Sequence, residues 1–175
     1  MGRNTGEKLV VDPNMGSVLF CGSRSNGLFK STNSGASWSR VTTLDIKSTT
    51  NGNGISLVVF DPSTGSAGYA TQTLIVGVSQ TGQNLYRSDD GGATFLAIPG
   101  APTTMMPNRA VISSDRNLYI TYANGAGSYG TIDEPMEQGR IWKYNLASGS
   151  WTNVTPLGFT GRMLESVSTQ IIQIG

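Results

Sequence analysis

An internal repeat constrains what this chain can fold into more than any other feature of its sequence. Three segments align without gaps at intervals of about 57 residues. Each reads apolar, aromatic, basic, a polar turn containing glycine, and then a closing aromatic residue. Two further apolar runs precede each segment, so every unit offers four short strands with turn residues between them. The aligned segments are Leu28–Trp38, Leu85–Phe95 and Ile141–Trp151.

A four-stranded antiparallel unit repeated at this spacing is typical of a β-propeller blade. The composition agrees, because 23 of the 175 residues are glycine and only 13% are charged, which suits short strands and tight turns. A tandem β-sandwich is the alternative, but it would need longer units and Greek-key connections. We therefore predict an all-β fold of about three four-stranded antiparallel blades, near residues 9–44, 55–100 and 110–156.

Charge and residue usage exclude several kinds of function. The 12 basic and 11 acidic residues leave a formal net charge of +1, which gives no electrostatic basis for a nucleic-acid or membrane partner. The chain has no histidine and one cysteine, Cys21, so neither a Ser-His-Asp triad nor a histidine or cysteine metal site can form. We expect no metal and no cofactor. Any chemistry must use carboxylates, tyrosine, lysine or arginine.

The turn inside each repeat has a physical logic. Asp90 can accept hydrogen bonds from the backbone N–H groups of its own turn, Gly92 can adopt a positive φ without steric cost, and Phe95 can return into the sheet. This S-x-D-x-G-x-T-W pattern is the Asp-box, which indicates a propeller and says nothing about catalysis. The predicted Asp-box residues are Asn33, Gly35 and Trp38, then Asp90, Gly92 and Phe95, then Asn145, Gly149 and Trp151.

The stretch from Leu9 to about Pro156 resembles glycoside hydrolase family 74, the xyloglucanases and related reducing-end-specific cellobiohydrolases. The resemblance rests on LVVDPNMGSVLFCGSRSNGLFKSTNSGASWSRVTTL (9–44), NGISLVVFDPSTG (53–65), LYRSDDGGATF (85–95), and above all LYITYANGAGSYG (118–130) and IWKYNLASGSWTNVTP (141–156). It implies that residues 1–156 are part of one of two seven-bladed propellers. The two propellers of such an enzyme face each other across a cleft for a branched β-1,4-glucan.

The resemblance also implies that this chain lacks the chemistry of its parent enzyme. The family's general acid and base are similar to two Asp residues, one from each propeller, and neither motif occurs here, so no catalytic residue carries over. Residues 157–175 lose the family pattern and form a divergent tail. We expect an inactive fragment, without a signal peptide of its own, of a secreted enzyme that acts on xyloglucan-type polysaccharide. Its partners would be the missing blades and the second propeller.

A non-enzymatic reading stays open beside this one. Asp-box propellers also occur in sortilin-like receptors, where they bind protein or glycan without catalysis. The alternative function is therefore an Asp-box propeller module that binds protein or glycan.

Loops at one end of the predicted blades are the candidates for binding. In a four-stranded meander, the loops between strands two and three share an end with the blade-to-blade connections, and long loops on a rigid scaffold tend to carry function. The loop 124–139 is longer than its counterparts. Tyr122, Asn124 and Tyr129 could contact a glucan through ring faces, hydroxyls and amide groups. The competing interpretation is that these residues only pack the loop.

Other polar and aromatic residues are more easily explained by structure. Asp133 and Glu134 are adjacent, a geometry that rarely supplies two carboxylates roughly 5–9.5 Å apart across a glycosidic bond, so we interpret them as a solvated acidic loop. Arg109 and Asn53 are weaker binding candidates. Four aromatic residues recur at blade spacing and are predicted to be core: Trp38, Tyr86, Trp142 and Trp151.

Overall fold

The computed structural model describes residues 8–125 and 138–159. Within these ranges the chain forms twelve strands, arranged as three four-stranded sheets, and one turn of 3-10 helix at Pro62–Thr64. Sheet A holds β1 (Leu9–Val11), β2 (Leu19–Gly22), β3 (Leu28–Ser31) and β4 (Ser39–Arg40). Sheet B holds β5 (Ile55–Phe60), β6 (Leu74–Val78), β7 (Leu85–Ser88) and β8 (Leu96–Ala97). Sheet C holds β9 (Met106–Ile112), β10 (Asn117–Ala123), β11 (Gly139–Asn145) and β12 (Trp151–Asn153).

Each sheet is an antiparallel meander in which strand order follows chain order. The described strands therefore make no Greek-key crossing, and the predicted all-β fold of about three four-stranded blades is confirmed. The third sheet begins at Met106, somewhat before the predicted boundary near 110, because β9 continues across a bulge to pair with the end of β10. No helix in the described ranges is long and apolar enough to cross a bilayer.

Strand register makes the three sheets comparable position by position. In each sheet a leucine of the second strand pairs with the fourth residue of the repeat-aligned segment, which lies on the third strand. The pairs on either side of this one correspond in the same way. Residues at matching positions are called equivalent below. The pairs that fix this equivalence are Leu19 with Ser31, Leu74 with Ser88, and Leu118 with Tyr144.

The first hydrophobic core lies between sheets A and B. Phe20 and Leu28 of sheet A pack in one cluster with Leu74 and Val76 of sheet B, and all four side chains are fully buried. Phe20 meets Phe60 edge to face, with ring centroids 5.8 Å apart. Burying an apolar side chain of this size contributes roughly 1.5–3 kcal/mol, so this cluster is a main source of stability.

The second core lies between sheets B and C. Ile75 and Leu85, which point away from sheet A, pack with Leu118 and Ile120 of sheet C, and none of the four is exposed. Sheet B is therefore apolar on both faces. This explains why β6 reads Leu-Ile-Val-Gly-Val without a polar residue and is buried along its whole length, since alternation disappears when both faces of a strand are covered.

The closing aromatic of the second and of the third Asp-box turn packs on the sheet that precedes it in the chain. Phe95 is only 9% exposed, within the core between sheets A and B. Trp151 stacks on Tyr144 at 4.6 Å and donates from Nε1 to the carbonyl of Pro99 at 2.9 Å. Trp38 is 39% exposed, so its prediction as core is wrong: no described residue builds a sheet in front of sheet A. The half-buried members of the predicted set are Tyr86, Trp142 and Trp151.

A basic residue on the third strand ties each sheet to the next. Lys30 donates from Nζ to the carbonyl of Gly91 at 2.7 Å, and its equivalent Arg87 donates to the carbonyl of Leu146 at 2.9 Å. Both acceptors lie in the turn between the third and fourth strands of the following sheet. This contact, which we call the basic-residue contact, explains why a basic residue recurs in the repeat.

A buried carboxylate makes a second tie between neighbouring sheets. Asp12, at the end of β1, is 2% exposed and accepts from the backbone N–H of Thr71 at 2.8 Å. Its equivalent Asp61, at the end of β5, is 1% exposed and accepts from Nε of Arg116 at 2.9 Å. Asp61 is paired with an arginine, so removing Arg116 would leave a buried charge without compensation, which is strongly destabilising.

The predicted hydrogen bonds of the Asp-box turns are confirmed. Asp90 accepts at Oδ1 from the backbone N–H groups of Ala93 and Thr94, at 3.0 and 2.8 Å. Asn33 does the same for the backbone N–H of Ser37 at 2.9 Å. In the third turn the amide oxygen of Asn145 accepts from the backbone N–H groups of residues 147 and 148. The turn is therefore closed in the same way, but by hydrogen bonds that span one residue fewer than those of Asp90.

The turn glycines of sheets A and B offer a matched test of how tightly the sheets pack. Gly92 has φ +85°, and a Cβ there would lie 2.4 Å from Cζ of Phe20. Gly92→Ala should therefore combine positive-φ strain of about 1–2 kcal/mol with overpacking of about 1–3 kcal/mol. We expect the melting temperature to fall by roughly 5–15 °C, measured by circular dichroism.

Gly35→Ala is the control. Gly35 also has φ +85°, but the nearest atom to its Cβ would be 3.8 Å away, on Trp38. This variant should therefore show only the backbone part of the loss. Equal losses in the two variants would contradict the packing of the second turn on Phe20.

Candidate functional site

The end of the sheets opposite the Asp-box turns is the predicted ligand-binding end. It is built from the loops between the second and third strands and from the connections between sheets. These segments cover residues 23–27, 41–54, 79–84 and 98–105, together with the base of the loop between β10 and β11.

A buried amide holds the connection that leads into sheet B. Asn51 is 2% exposed and donates from Nδ2 to the carbonyl of Ser79 at 2.9 Å. Its Oδ1 accepts from the hydroxyl of Thr49 at 2.8 Å and from the backbone N–H of Asn53 at 3.0 Å. Asn53 is itself only 4% exposed. It therefore belongs to the internal structure of this loop, and its contact with a ligand stays a prediction.

A second buried amide joins two neighbouring segments at the same end. Asn84 is fully buried and donates from Nδ2 to the carbonyls of Pro102 and Met105, at 2.9 and 2.8 Å. Sequence reasoning missed both Asn51 and Asn84. For Asn51 the available signal was the Asn-Gly-Asn-Gly run at 51–54, since asparagine and glycine together mark tightly hydrogen-bonded turns.

The loops of sheets A and B touch backbone to backbone. Gly54 has φ +64°, and a Cβ on it would lie 2.3 Å from the carbonyl oxygen of Arg24. Arg24 in turn donates from Nε to the carbonyl of Gly52 at 2.8 Å. Only glycine fits at position 54, because the backbone of Arg24 lies so close to it. The loops of sheets A and B are therefore closely packed against each other at this end of the sheets.

Tyr122 lies in the core rather than on the surface. Its side chain is fully buried among the residues between sheets B and C. The reason is strand alternation: Tyr122 points to the same face of β10 as Leu118 and Ile120. Its hydroxyl has no hydrogen-bond partner in the described ranges, and burial raises the pKa of this group. A glucan contact at Tyr122 stays a prediction and would need this ring to leave the core.

Asn124 closes the base of the longest loop at this end. Its Oδ1 accepts from the backbone N–H of Gln138 at 2.9 Å, and its own N–H donates to the carbonyl of Gln138 at 3.2 Å. The residue is exposed, as a ligand contact requires. Arg109 is half-buried on β9. The remaining candidates of this loop, Tyr129, Asp133 and Glu134, lie outside the described residues.

Every carboxylate in the described ranges is used in a structural contact. The two buried ones join neighbouring sheets, as shown above. Three others bond within their own turn or strand, and Asp45 pairs with Arg40, whose hydrogen bond lowers the pKa of that carboxyl. No group of three or more acidic or cysteine side chains that could hold a metal occurs in these ranges. The carboxylates concerned are Asp12, Asp45, Asp61, Asp89, Asp90 and Asp115.

An open cleft of about 600 Å³ lies between sheets B and C, beside the Asp-box turn of sheet B. Its lining includes Arg87, Asp89, Leu96, Pro99 and Tyr144. Arg87 and Asp89 are paired with each other at 2.8 Å. The cleft extends from the Asp-box turn of sheet B along β8 to Pro99, and none of the predicted binding residues lines it.

The chain is similar to known xyloglucanases over most of its length. It is 45% identical over 168 residues to a xyloglucanase of Paenibacillus sp., covering 89% of this chain and 16% of that enzyme. It is 36% identical over 170 residues to a xyloglucanase of Acetivibrio thermocellus, covering 91% of this chain and 20% of that enzyme. The crystal structure of a GH74 enzyme from Niastella koreensis matches with a TM-score of 0.78 and 49% identity, over 89% of this chain and 22% of that one. No protein-family model matches the chain.

Three successive four-stranded meanders with Asp-box turns define a segment of a β-propeller protein. Within that class, the chain is similar in sequence and in fold to enzymes of glycoside hydrolase family 74, as the resemblance implied. It spans only about a fifth of the length of the relatives it matches.

The Asp-box carboxylate of sheet B should make stability depend on acid pH. Hydrogen bonds from Thr94, then from Ser88 and the backbone of Ala93, lower the pKa of Asp90 to about 2 from 3.8. A depressed pKa means that the ionised form stabilises the fold, and that this contribution is lost as pH falls from about 4 through about 2. We expect Asp90→Asn to melt below the wild type at pH 6 and to approach it at pH 2.

The reciprocal variant is the control. Asn33 occupies the same role in sheet A, so Asn33→Asp should raise the melting temperature at pH 6 and lose that gain at pH 2. Thermal melts at both pH values measure this. A gap between wild type and Asp90→Asn that stays constant from pH 6 to pH 2 would contradict the assigned ionisation.

Proposed function

We propose that this chain forms part of the glucan-binding wall in a family 74 enzyme that hydrolyses xyloglucan. The observation that carries the proposal is the similarity to xyloglucanases along nearly nine tenths of the chain. In the proposal, the general acid and the general base come from parts of the enzyme other than the described residues.

The use of carboxylates supports this division of labour. Hydrolysis of a glycosidic bond needs two carboxyl groups on opposite sides of the bond, one protonated and one ionised. Asp90 and Asp115 are held ionised by hydrogen bonds in their own turns, which lower the pKa of each. Asp12 and Asp61 are buried between sheets. Each of these four carboxylates is either buried or hydrogen-bonded within its own turn, so none is available to act on a glycosidic bond.

The ligand-binding end supplies a rigid support for sugar contacts. The buried amides of Asn51 and Asn84 hold the connecting segments in place, and Asn124 fixes the base of the long loop. We propose that Asn124 and Tyr129 contact the glucan from this support, by amide hydrogen bonds and by ring stacking on sugar C–H groups.

The non-enzymatic alternative, an Asp-box module of the sortilin-like kind, is not favoured. The relatives named above are xyloglucanases, and the similarity continues beyond the turns that all Asp-box proteins share. The parent enzyme is further proposed to act outside the cell, because its polymeric substrate is met there. Detecting the parent only inside cells, with an antibody raised against residues 8–125, would contradict that placement.

We expect no xyloglucan hydrolysis by this chain alone. The assay is reducing-sugar release from xyloglucan with purified protein, beside Asp133→Ala and Glu134→Ala. The physical reason is the lack of an available carboxylate pair in the described ranges. Turnover that disappears in either variant would show that the chain carries its own active site, and the proposed division of labour would be wrong.

A chimeric enzyme tests the binding role directly. Residues 8–159 of this chain replace the matching segment of a full-length xyloglucanase relative, and hydrolysis of xyloglucan is measured. Retained activity is expected, and Asn124→Ala in the chimera should raise KM several-fold while kcat changes less. Leu96→Ala, at an exposed position on β8 opposite Arg87, is the matched control. A chimera that melts like the relative but has lost hydrolysis would contradict the proposal.

A further inference from the structure

Asparagine followed by glycine occurs four times in this chain, and the four pairs lie in different surroundings. They begin at Asn26, Asn51, Asn53 and Asn124. Such a pair can react with itself, because the glycine nitrogen can attack the side-chain carbonyl carbon of the asparagine. Glycine has no β-carbon to obstruct that approach. The structure therefore determines which of the four pairs reacts first.

The two pairs in the connection between sheets A and B are held in place. The backbone N–H of Gly52 donates to the carbonyl of Thr49 at 2.9 Å, and that of Gly54 donates to the hydroxyl oxygen of Thr49 at 2.9 Å. The asparagines of these pairs, Asn51 and Asn53, are only 2% and 4% exposed. Both attacking nitrogens are thus engaged, and neither side chain has room to turn.

The pair at Asn124 is restrained through its side chain. Oδ1 of Asn124 accepts from the backbone N–H of Gln138 at 2.9 Å. Attack by the nitrogen of Gly125 requires the amide group to turn, which breaks this hydrogen bond. We therefore expect this pair to react slowly in the folded chain.

The pair at Asn26 lies in the turn between β2 and β3 and has neither restraint. Asn26 is exposed, and its hydrogen bonds to Ser23 and Arg40 run through its backbone. The carbonyl of Gly27 closes the turn by accepting from the backbone N–H of Ser23 at 2.9 Å. Within the described ranges the N–H of Gly27 donates to no residue. The nitrogen that must attack is therefore available.

Arg40 activates the same peptide bond. Its Nε donates to the carbonyl oxygen of Asn26 at 3.1 Å, and its guanidinium is also paired with Asp45. That carbonyl belongs to the peptide bond whose nitrogen attacks, so loss of the nitrogen's proton places negative charge on this oxygen. A hydrogen bond from a cation stabilises that charged form. Arg40 thus increases the fraction of reactive nitrogen.

We propose that Asn26 is a site of spontaneous deamidation. The nitrogen of Gly27 loses its proton to hydroxide and forms a bond to Cγ of Asn26. The bond from Cγ to Nδ2 then breaks, and Nδ2 takes a proton from water and leaves as ammonia. Water opens the five-membered ring at either carbonyl, which gives aspartate or isoaspartate. Each product adds one negative charge to the turn on which Gly54 packs. The inference does not depend on the proposed function.

Peptide mapping of the folded chain tests the selectivity. The purified protein is incubated at mildly alkaline pH, digested with trypsin and compared by mass spectrometry with a sample taken at the start. Trypsin separates the pairs into peptides 25–30, 48–87 and 117–140. Deamidation should appear in peptide 25–30 several-fold sooner than in the other two. In urea this difference should disappear, because all four pairs have the same two residues. Equal rates in the folded chain, or a faster reaction in another peptide, would overturn the proposal.

Three variants test the chemistry, with melting curves to verify that each is folded. Arg40→Gln should slow deamidation of peptide 25–30 several-fold and leave peptide 117–140 unchanged, whereas an equal or higher rate would contradict the role of Arg40. Asn26→Asp should elute with the acidic form of the wild type on ion exchange. Asn26→Gln should delay that form, because its longer side chain would have to close a six-membered ring. An acidic form that appears equally fast in Asn26→Gln would place the reaction elsewhere.

Discussion

Each sheet of this chain is apolar on both faces, and the rest of the structure depends on covering those faces with neighbouring sheets. Sheet B shows the constraint most clearly: Leu74 and Val76 point to sheet A, Ile75 and Leu85 point to sheet C, and none is exposed. A sheet of this composition standing alone would leave both surfaces in water. Stability in such repeats comes from neighbour contacts more than from any single unit, so the sheets stabilise one another.

The polar contacts between sheets add orientation to that burial. Hydrophobic packing is non-directional and would allow adjacent sheets to slide, but two ties fix their relative position. The basic-residue contact of Lys30 or Arg87 lies at the third strand, and the buried carboxylate of Asp12 or Asp61 lies at the end of the first. Two contacts on different strands of one sheet hold the next sheet in place. The loops at the ligand-binding end inherit that rigidity.

The sequence predicted what is encoded locally and missed what depends on neighbours. The repeat specified three meanders, and the chemistry of Asp90 specified its turn, because both follow from residues a few positions apart. Trp38 was misassigned since its burial depends on a preceding sheet, which a local pattern does not contain. Asp12 and Asp61 each stand before a proline, and this local pattern predicts only a turn. Their turn bonds reach two residues along the chain, whereas their contacts with other sheets reach more than fifty.

The repeat also indicates where chemistry can and cannot reside. Asp12 and Asp61 are carboxylates at equivalent positions, and each contacts the following sheet. A carboxylate that recurs in this way has a structural role. A catalytic group acts once, so it belongs at a position where the repeats differ. In this chain the repeats differ most between β10 and β11, where the connection is longer than its counterparts at 23–27 and 79–84. We therefore propose that specific recognition of a ligand by these blades belongs to that loop, on a support built from the repeated parts.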